Sequence, residues 1–159
     1  MQILETNRSF IIFTGFVCFL AGFIHFLGHT MFFTTGFFEE PNLYTVWPRF
    51  DQITHSLSSC AVTSFILNFN LPLSFKKKWS VALLFGIFLS FLWEAWEYIS
   101  FYFLSNVFHW INISNIDTLL DFHQNFYGAV LAILVYTILV KPRIILIDKH
   151  GSVISLGYE

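Results

Sequence analysis

The amino-acid sequence predicts an all-α integral membrane protein: a four-helix transmembrane bundle with both termini in the cytoplasm and a short C-terminal β-hairpin tail. Of its 159 residues, 56% are hydrophobic and only 11% are charged, whereas a soluble domain usually carries about 25% charged residues. Several apolar runs reach the roughly 20 residues that a helix needs to cross a bilayer. The net charge of −2 argues against a nucleic-acid partner.

The predicted transmembrane domain comprises residues 1–142. Its first span has no small-residue cleavage site, so we interpret it as an uncleaved anchor. An aromatic connection over residues 28–50 suits the membrane interface. The four predicted spans cover about residues 10–27, 51–73, 79–104 and 117–140.

Basic residues set the expected orientation, because cytoplasmic loops are enriched in Lys and Arg. With the Lys76–Lys78 loop in the cytoplasm, seven of the eight basic residues lie on that side and only Arg49 lies outside. We therefore expect a multi-pass protein of the cell (inner or plasma) membrane.

The tail, residues 143–159, has the pattern of short strands instead of a long apolar helix. Two short runs of Ile, Leu and Val flank Asp148–Gly151, which predicts a β-hairpin with glycine at the turn. An isolated two-stranded hairpin is marginally stable in water. We expect it to dock on its own bundle, on a second copy or on another membrane subunit, unless it is a plain surface appendage.

Two carboxylates in the third span form the most informative feature. Glu94 and Glu97 are three residues apart and share one helix face. A charge near the bilayer centre costs from ~3 to over 10 kcal/mol, depending on the method. These residues therefore need a partner inside the protein.

Polar or small residues recur every three or four positions in all four spans, which predicts that these faces meet in the bundle. The four stripes are Gly15, Cys18, Gly22, His25 and His29; Asp51, His55, Ser59 and Thr63; Gly86, Ser90, Glu94 and Glu97; and Asp117, Asp121, Asn125, Gly128 and Ala132. Their acids and histidines would gather in the extracytoplasmic third of the membrane.

Crowded carboxylates must share protons or bind a cation, and no Lys or Arg lies within a predicted span. Imidazole beside carboxylate favours a divalent Zn, Fe, Mn or Cu ion. The predicted metal ligands are Asp51, His55, Glu94, Glu97 and Asp121, with His25, His29, Asp117 and Asn125 as weaker candidates.

Each candidate has a structural alternative. Asp51 and Asp117 would also serve as helix caps, and His25 and His29 as interfacial polar residues. Protonated Glu94 and Glu97 would bond Ser90 or His55. Trp93 and Trp96 are expected to pack, and His123 to face headgroups or water.

The ordered set Asp51-x3-His55, Trp93-Glu94-x2-Glu97 and Asp117-Thr118-x2-Asp121 resembles the YjdF-like family of small uncharacterised inner-membrane proteins. Asp121-x3-Asn125-x2-Gly128 is also similar to the last motif of the VanZ-like family. That family carries Gln where this chain has Glu97. The resemblance implies a shared acidic site and supplies no reaction.

The sequence leaves the reaction, and whether the chain is an enzyme, open. The first hypothesis is a membrane protein with a divalent metal site reached from the outer face. The second is a non-catalytic accessory subunit of a larger complex, such as a respiratory or copper-dependent membrane enzyme. Proton-coupled transport ranks last, because four spans without repeats or broken helices make a poor transporter.

Overall fold

A computed structural model describes residues 8–30, 43–47, 49–69, 71, 73–104, 115–140, 144–147 and 153–156 of the chain. These residues form five helices and two strands. The helices are α1 (Arg8–Thr30), α2 (Leu43–Val46), α3 (Phe50–Asn68), α4 (Phe75–Leu104) and α5 (Asn115–Leu139). The strands are β1 (Ile144–Ile147) and β2 (Val153–Leu156).

Three helices are long and apolar enough to cross a membrane, namely α1, α4 and α5, over Arg8–Gly28, Phe75–Ser100 and Thr118–Leu139. The helix α3, which coincides with the second predicted span, does not meet the same criterion. It has 19 residues, and its sequence carries Ser, Thr, Asp and His between its apolar residues. The structure therefore supports three of the four expected spans.

The helix α3 lies at the centre of the packing. It contacts α1, α4 and α5, and it packs most extensively against α5. Its polar side chains are covered by these neighbours: Thr54, His55, Ser59, Thr63 and Ser64 are all buried. A helix that is surrounded by other helices can carry such residues because protein, not lipid, covers them.

Glycine and other small residues bring α3 and α5 into close contact. A Cβ atom at Gly128 of α5 would overlap the backbone carbonyl of Ser56 and lie 3.0 Å from the backbone nitrogen of Cys60. Ser59 also donates a hydrogen bond of 2.6 Å to the carbonyl of Asn125. The polar faces of the two helices are thereby held together.

The apolar core changes along the bundle. At one end, Phe10, Leu67, Ala82, Tyr136 and Val140 form a buried cluster, and Phe10 meets Tyr136 edge to face. Smaller residues pack in the middle: Val17, Ala21, Cys60, Ala61 and Ala132. The acidic residues occupy the other end.

Two helix boundaries differ from the sequence prediction. The second predicted span was expected to reach residue 73, but α3 ends at Asn68, where Phe69 turns extended. Conversely, α4 begins at Phe75 and includes the three lysines, since Lys is a good helix former outside the bilayer. Lys78 is buried, with its Nζ 5.4 Å above the Tyr136 ring.

The small-residue stripe predicted for α1 packs against the bundle only in part. Its Cys18 and His25 contact Ala61 and Ser58 of α3, but its two glycines do not pack. Gly15, Cys18 and Gly22 are exposed, and nothing lies within 4 Å of a Cβ atom built at either glycine. The packed face instead carries larger residues, which bury more apolar surface than glycine does. These are Phe10, Thr14, Val17 and Ala21.

The strands β1 and β2 pair antiparallel, with Ile144 opposite Leu156 and Ile147 opposite Val153. The turn that the sequence predicts at Asp148–Gly151 lies outside the described residues. Among the described elements, each strand contacts only the other.

Candidate metal centre

His55 stands between two aspartates at the acidic end of the bundle. Its Nε2 lies 3.5 Å from Oδ1 of Asp51, one turn earlier on α3, and 3.9 Å from Oδ2 of Asp121 on α5. A charge-assisted hydrogen bond measures about 2.7–2.9 Å, so both separations are longer. They are closer to the roughly 3.3 Å between two ligands of a tetrahedral ion with bonds of about 2.0–2.1 Å. The donor set therefore suits a divalent cation.

A second group of ligand atoms shares the same histidine. One ligand atom each from His55, Glu94 and Glu97 lies within 4.8 Å of the others, and the same limit holds for Asp51, His55 and Asp121. Three helices thus bring five predicted ligands together. Glu97 is buried, and Trp93 donates a hydrogen bond of 2.8 Å from Nε1 to its Oε1.

The other ring nitrogen of His55 faces Asn125. The Nδ2 of the amide lies 3.2 Å from Nδ1, and both side chains are buried. An amide has an oxygen acceptor and a nitrogen donor that exchange places when the group turns over. With its oxygen toward His55, Asn125 would accept the Nδ1 proton and leave Nε2 as an electron-pair donor directed at the aspartates.

Both ring nitrogens of His25 are engaged. Its Nδ1 is 2.6 Å from the Tyr44 hydroxyl, and its Nε2 is 3.1 Å from Oγ of Ser58. Burial raises the pKa of Tyr44, so its hydroxyl stays protonated, and the tautomer of the imidazole decides whether the hydroxyl or Nδ1 donates. The ring also lies against Trp93, with centroids 6.4 Å apart. His25 is therefore a wall residue and an unsuitable metal ligand in this arrangement.

A cavity of about 620 Å³ opens beside the cluster. Among its described lining residues there is no Lys or Arg. The lining is His25, Tyr44, Asp51, His55, Ser58, Ser59, Val62, Gly86, Leu89, Ser90, Leu92, Trp93, Trp96, Glu97 and Asn125. The polar groups are thus accessible from a space that is otherwise walled by apolar side chains.

The structure brings most of the sequence-predicted site residues together. Asp51, His55, Asp121, Glu94 and Glu97 form the cluster, and Asn125 supports it. The side chains of His29 and Asp117 lie outside the described part of the structure. His123 is exposed on α5 and its Nδ1 donates to the carbonyl of Leu119, as expected for a residue directed away from the bundle.

Sequence reasoning missed three residues that form hydrogen bonds with the predicted site residues. Trp93 was expected only to pack, yet it holds Glu97. Tyr44 was counted as one of many interfacial aromatics, and Ser58 was not selected. The only available signal was position: Trp93 precedes Glu97 by four residues, a spacing at which side chains on a helix meet.

A comparison with family models assigns the chain to one family. Residues 2–142 match the model described as "Predicted membrane protein (DUF2238)". The chain belongs to the DUF2238 family. This match covers nearly the whole chain, and DUF2238 membership agrees with the three membrane-length helices. No curated protein and no solved structure matches the chain.

Proposed function

We propose that this DUF2238 protein binds a divalent metal ion between Asp51, His55 and Asp121, with Glu94 and Glu97 close enough to complete the coordination. The observation that carries the proposal is the position of the His55 Nε2 atom, 3.5 Å and 3.9 Å from carboxylate oxygens of two helices. We take Glu94 as the fourth ligand, because Glu97 is among the residues that line the adjoining cavity and is oriented there by Trp93.

The donor chemistry narrows the choice of ion. One imidazole with several carboxylates suits Zn, Fe, Mn or Cu, whereas Ca and Mg prefer oxygen ligands alone. Asn125 acts as the partner that orients the ligand histidine, a role that amide and carbonyl groups commonly play at metal sites. A divalent ion in this position would polarise an oxygen of a molecule bound in the adjoining cavity.

The metal proposal is tested by loading the purified protein with Zn, Fe(II), Mn or Cu and measuring bound metal by mass spectrometry. We expect one ion per chain, and a loss of at least about tenfold in affinity for His55→Ala and Asp121→Asn. His123→Ala, at an exposed histidine of the same helix as Asp121, is the matched control. Full occupancy in both site variants, with circular dichroism showing an intact fold, would reject this ligand set.

The site belongs to a four-span protein of the cell membrane, in which α3 is the fourth span beside the membrane-length helices α1, α4 and α5. With 19 residues and a rise of 1.5 Å per residue, α3 is about 28 Å long, close to the roughly 30 Å of a hydrocarbon core. Its burial by α1, α4 and α5 supports this assignment despite its polar residues. The distribution of Lys and Arg supports cytoplasmic termini and a metal site toward the outer face.

Reporter fusions test this topology. A green fluorescent protein fused after Leu139 should fluoresce, and alkaline phosphatase at the same point should be inactive, since that point is cytoplasmic. Fusions within residues 105–114 should give the reverse result. A periplasmic result after Leu139 would exclude four spans with cytoplasmic termini. Reporters fused before Arg8 and after Leu139 that lie on opposite sides would show three spans, with α3 outside the membrane.

A second candidate function is that of an accessory subunit in a larger membrane complex. It is favoured by the two strands, which contact only each other among the described elements and would be marginal alone. Size-exclusion chromatography with light scattering in mild detergent separates the possibilities. Co-purifying polypeptides that are lost on deletion of residues 143–159 would support a subunit role. Self-association that is lost on the same deletion would indicate tail-mediated dimers. A stable monomer would oppose both.

A further inference from the structure

The helices α1 and α4 stand on either side of the cavity. Both helices pack against α3, but over the described residues no Cα atom of α1 comes within 8 Å of a Cα atom of α4. The rings of His25 and Trp93 make the contact that bridges them at the acidic end. The cavity lies in the cleft between them, and α3 contributes much of its wall.

The face of α1 that carries His25 continues with small residues. Gly22 and Cys18 precede His25 by three and seven positions, so they share its helix face. His25 lines the cavity, whereas Gly22, Cys18 and Gly15 are exposed and carry no bulky side chain. Beyond His25 this face of α1 therefore carries only small side chains, and the Sγ atom of Cys18 lies 4.0 Å from the carbonyl oxygen of Ala61 on α3.

The cavity has chemically different parts. Asp51 and Glu97 provide carboxylates at its polar end. The aromatic rings of Tyr44, Trp93 and Trp96 line the same space, and both tryptophans are more than two-fifths exposed. Carboxylates combined with aromatic faces recognise ammonium groups, through charge and cation–π attraction.

We propose that the cleft between α1 and α4 binds a membrane lipid by an ammonium head group, with one acyl chain lying along Gly22, Cys18 and Gly15. The occupant follows from charge complementarity. The described lining offers carboxylates and no Lys or Arg, which favours a cationic group over a purely anionic one. The apolar part of the lining, which includes Val62, Leu89 and Leu92, favours an amphiphile over a water-soluble amine.

This proposal goes beyond the metal site and does not depend on it. A divalent ion between Asp51 and Asp121 would neutralise those two carboxylates and leave Glu97, held by Trp93, directed at the head group. Without an ion, the crowded carboxylates share protons unless a cation in the cavity compensates them, and an ammonium group is such a cation. In both cases an ammonium group is the complementary ligand.

Native mass spectrometry of the detergent-purified protein tests the proposal. Phosphatidylethanolamine and phosphatidylglycerol with identical acyl chains are added in parallel, so only the head group differs. We expect phosphatidylethanolamine to bind about tenfold more tightly and this preference to disappear in Glu97→Gln. Asp148→Asn removes the same charge from the segment between the strands and should keep the preference.

The chain-binding part has its own variants. Gly22→Leu should weaken the binding of both lipids, because it puts a bulky side chain on the proposed path of the acyl chain. Phe23→Leu, at an exposed position on another face of α1, should leave the binding of both lipids unchanged. Equal binding of the two lipids in the wild type, or an unchanged preference in Glu97→Gln, would overturn the head-group assignment. A second copy of the chain occupying the cleft would overturn lipid binding altogether.

Metal content is measured in the same samples. Asp121→Asn should lose metal and keep the lipid preference, so a failure of the lipid proposal is distinguishable from a failure of the metal proposal.

Discussion

Asn125 and His55 face each other across the contact between α5 and α3, with the amide nitrogen 3.2 Å from Nδ1 of the imidazole. Both side chains are buried, so few other groups compete for this nitrogen. The orientation of one amide therefore decides which nitrogen of His55 carries the proton, and hence whether Nε2 offers a lone pair to an ion.

We expect Asn125→Leu, which keeps the side-chain volume but removes both polar atoms, to lower metal affinity by about 10–100-fold. Asn125→Asp should retain affinity, because a carboxylate accepts the Nδ1 proton at least as well as an amide. Competition titration with a chromophoric chelator measures both variants. Wild-type affinity in Asn125→Leu would show that the amide does not orient the ligand.

The close crossing of α3 and α5 at Gly128 gives a prediction about stability. Gly128→Ala should destabilise the protein by about 1–3 kcal/mol, since the added methyl group would overlap the backbone of Ser56 and force the helices apart. Gly22→Ala adds the same methyl group where nothing lies within 4 Å, so its stability should match or slightly exceed the wild type. Thermal unfolding in detergent, followed by circular dichroism, compares the two. Equal midpoints would contradict the close crossing.

Tyr44 predicts a specific dependence on pH. Burial raises the pKa of this hydroxyl above its ordinary value of 10.0, so the neutral form is favoured in the folded protein. Its contribution to stability is fully present below the unfolded pKa of about 10 and decreases as the pH rises above it. The wild type should therefore lose more stability than Tyr44→Phe between neutral pH and pH values above about 10.

Tyr44→Phe should also be less stable than the wild type at neutral pH, by about 0.5–1.5 kcal/mol, because the hydrogen bond to His25 is lost. The measurement is chemical unfolding of both proteins at several pH values. Parallel decreases with pH in the two proteins would mean that Tyr44 ionises as freely as in the unfolded chain.

The faces of α3, α4 and α5 could be predicted from sequence because charged and polar groups are costly against lipid. His55, Ser90, Glu97 and Asp121 are all buried, as that rule requires. The face of α1 could not be predicted in the same way. Its stripe consists mainly of small residues, which are tolerated equally against lipid and protein, and the packing of Phe10 and Val17 decided the outcome.

The arrangement around His55 was beyond sequence reasoning for a different reason. The bond from Trp93 to Glu97 and the one between Tyr44 and His25 depend on rotamers and on the path of the chain between helices. With 22 Phe, 6 Tyr and 5 Trp in the chain, aromatic residues are too common for position alone to single out those that carry hydrogen bonds.

The unequal sharing of the cavity wall has a mechanical consequence. The described wall takes its acids from α3 and α4, and α1 contributes only His25. An outward swing of α1 would therefore widen the entrance while the carboxylates kept their mutual spacing. A swing of this end of α1 requires the His25 contacts to Tyr44 and Ser58 to break. These contacts therefore keep the entrance narrow.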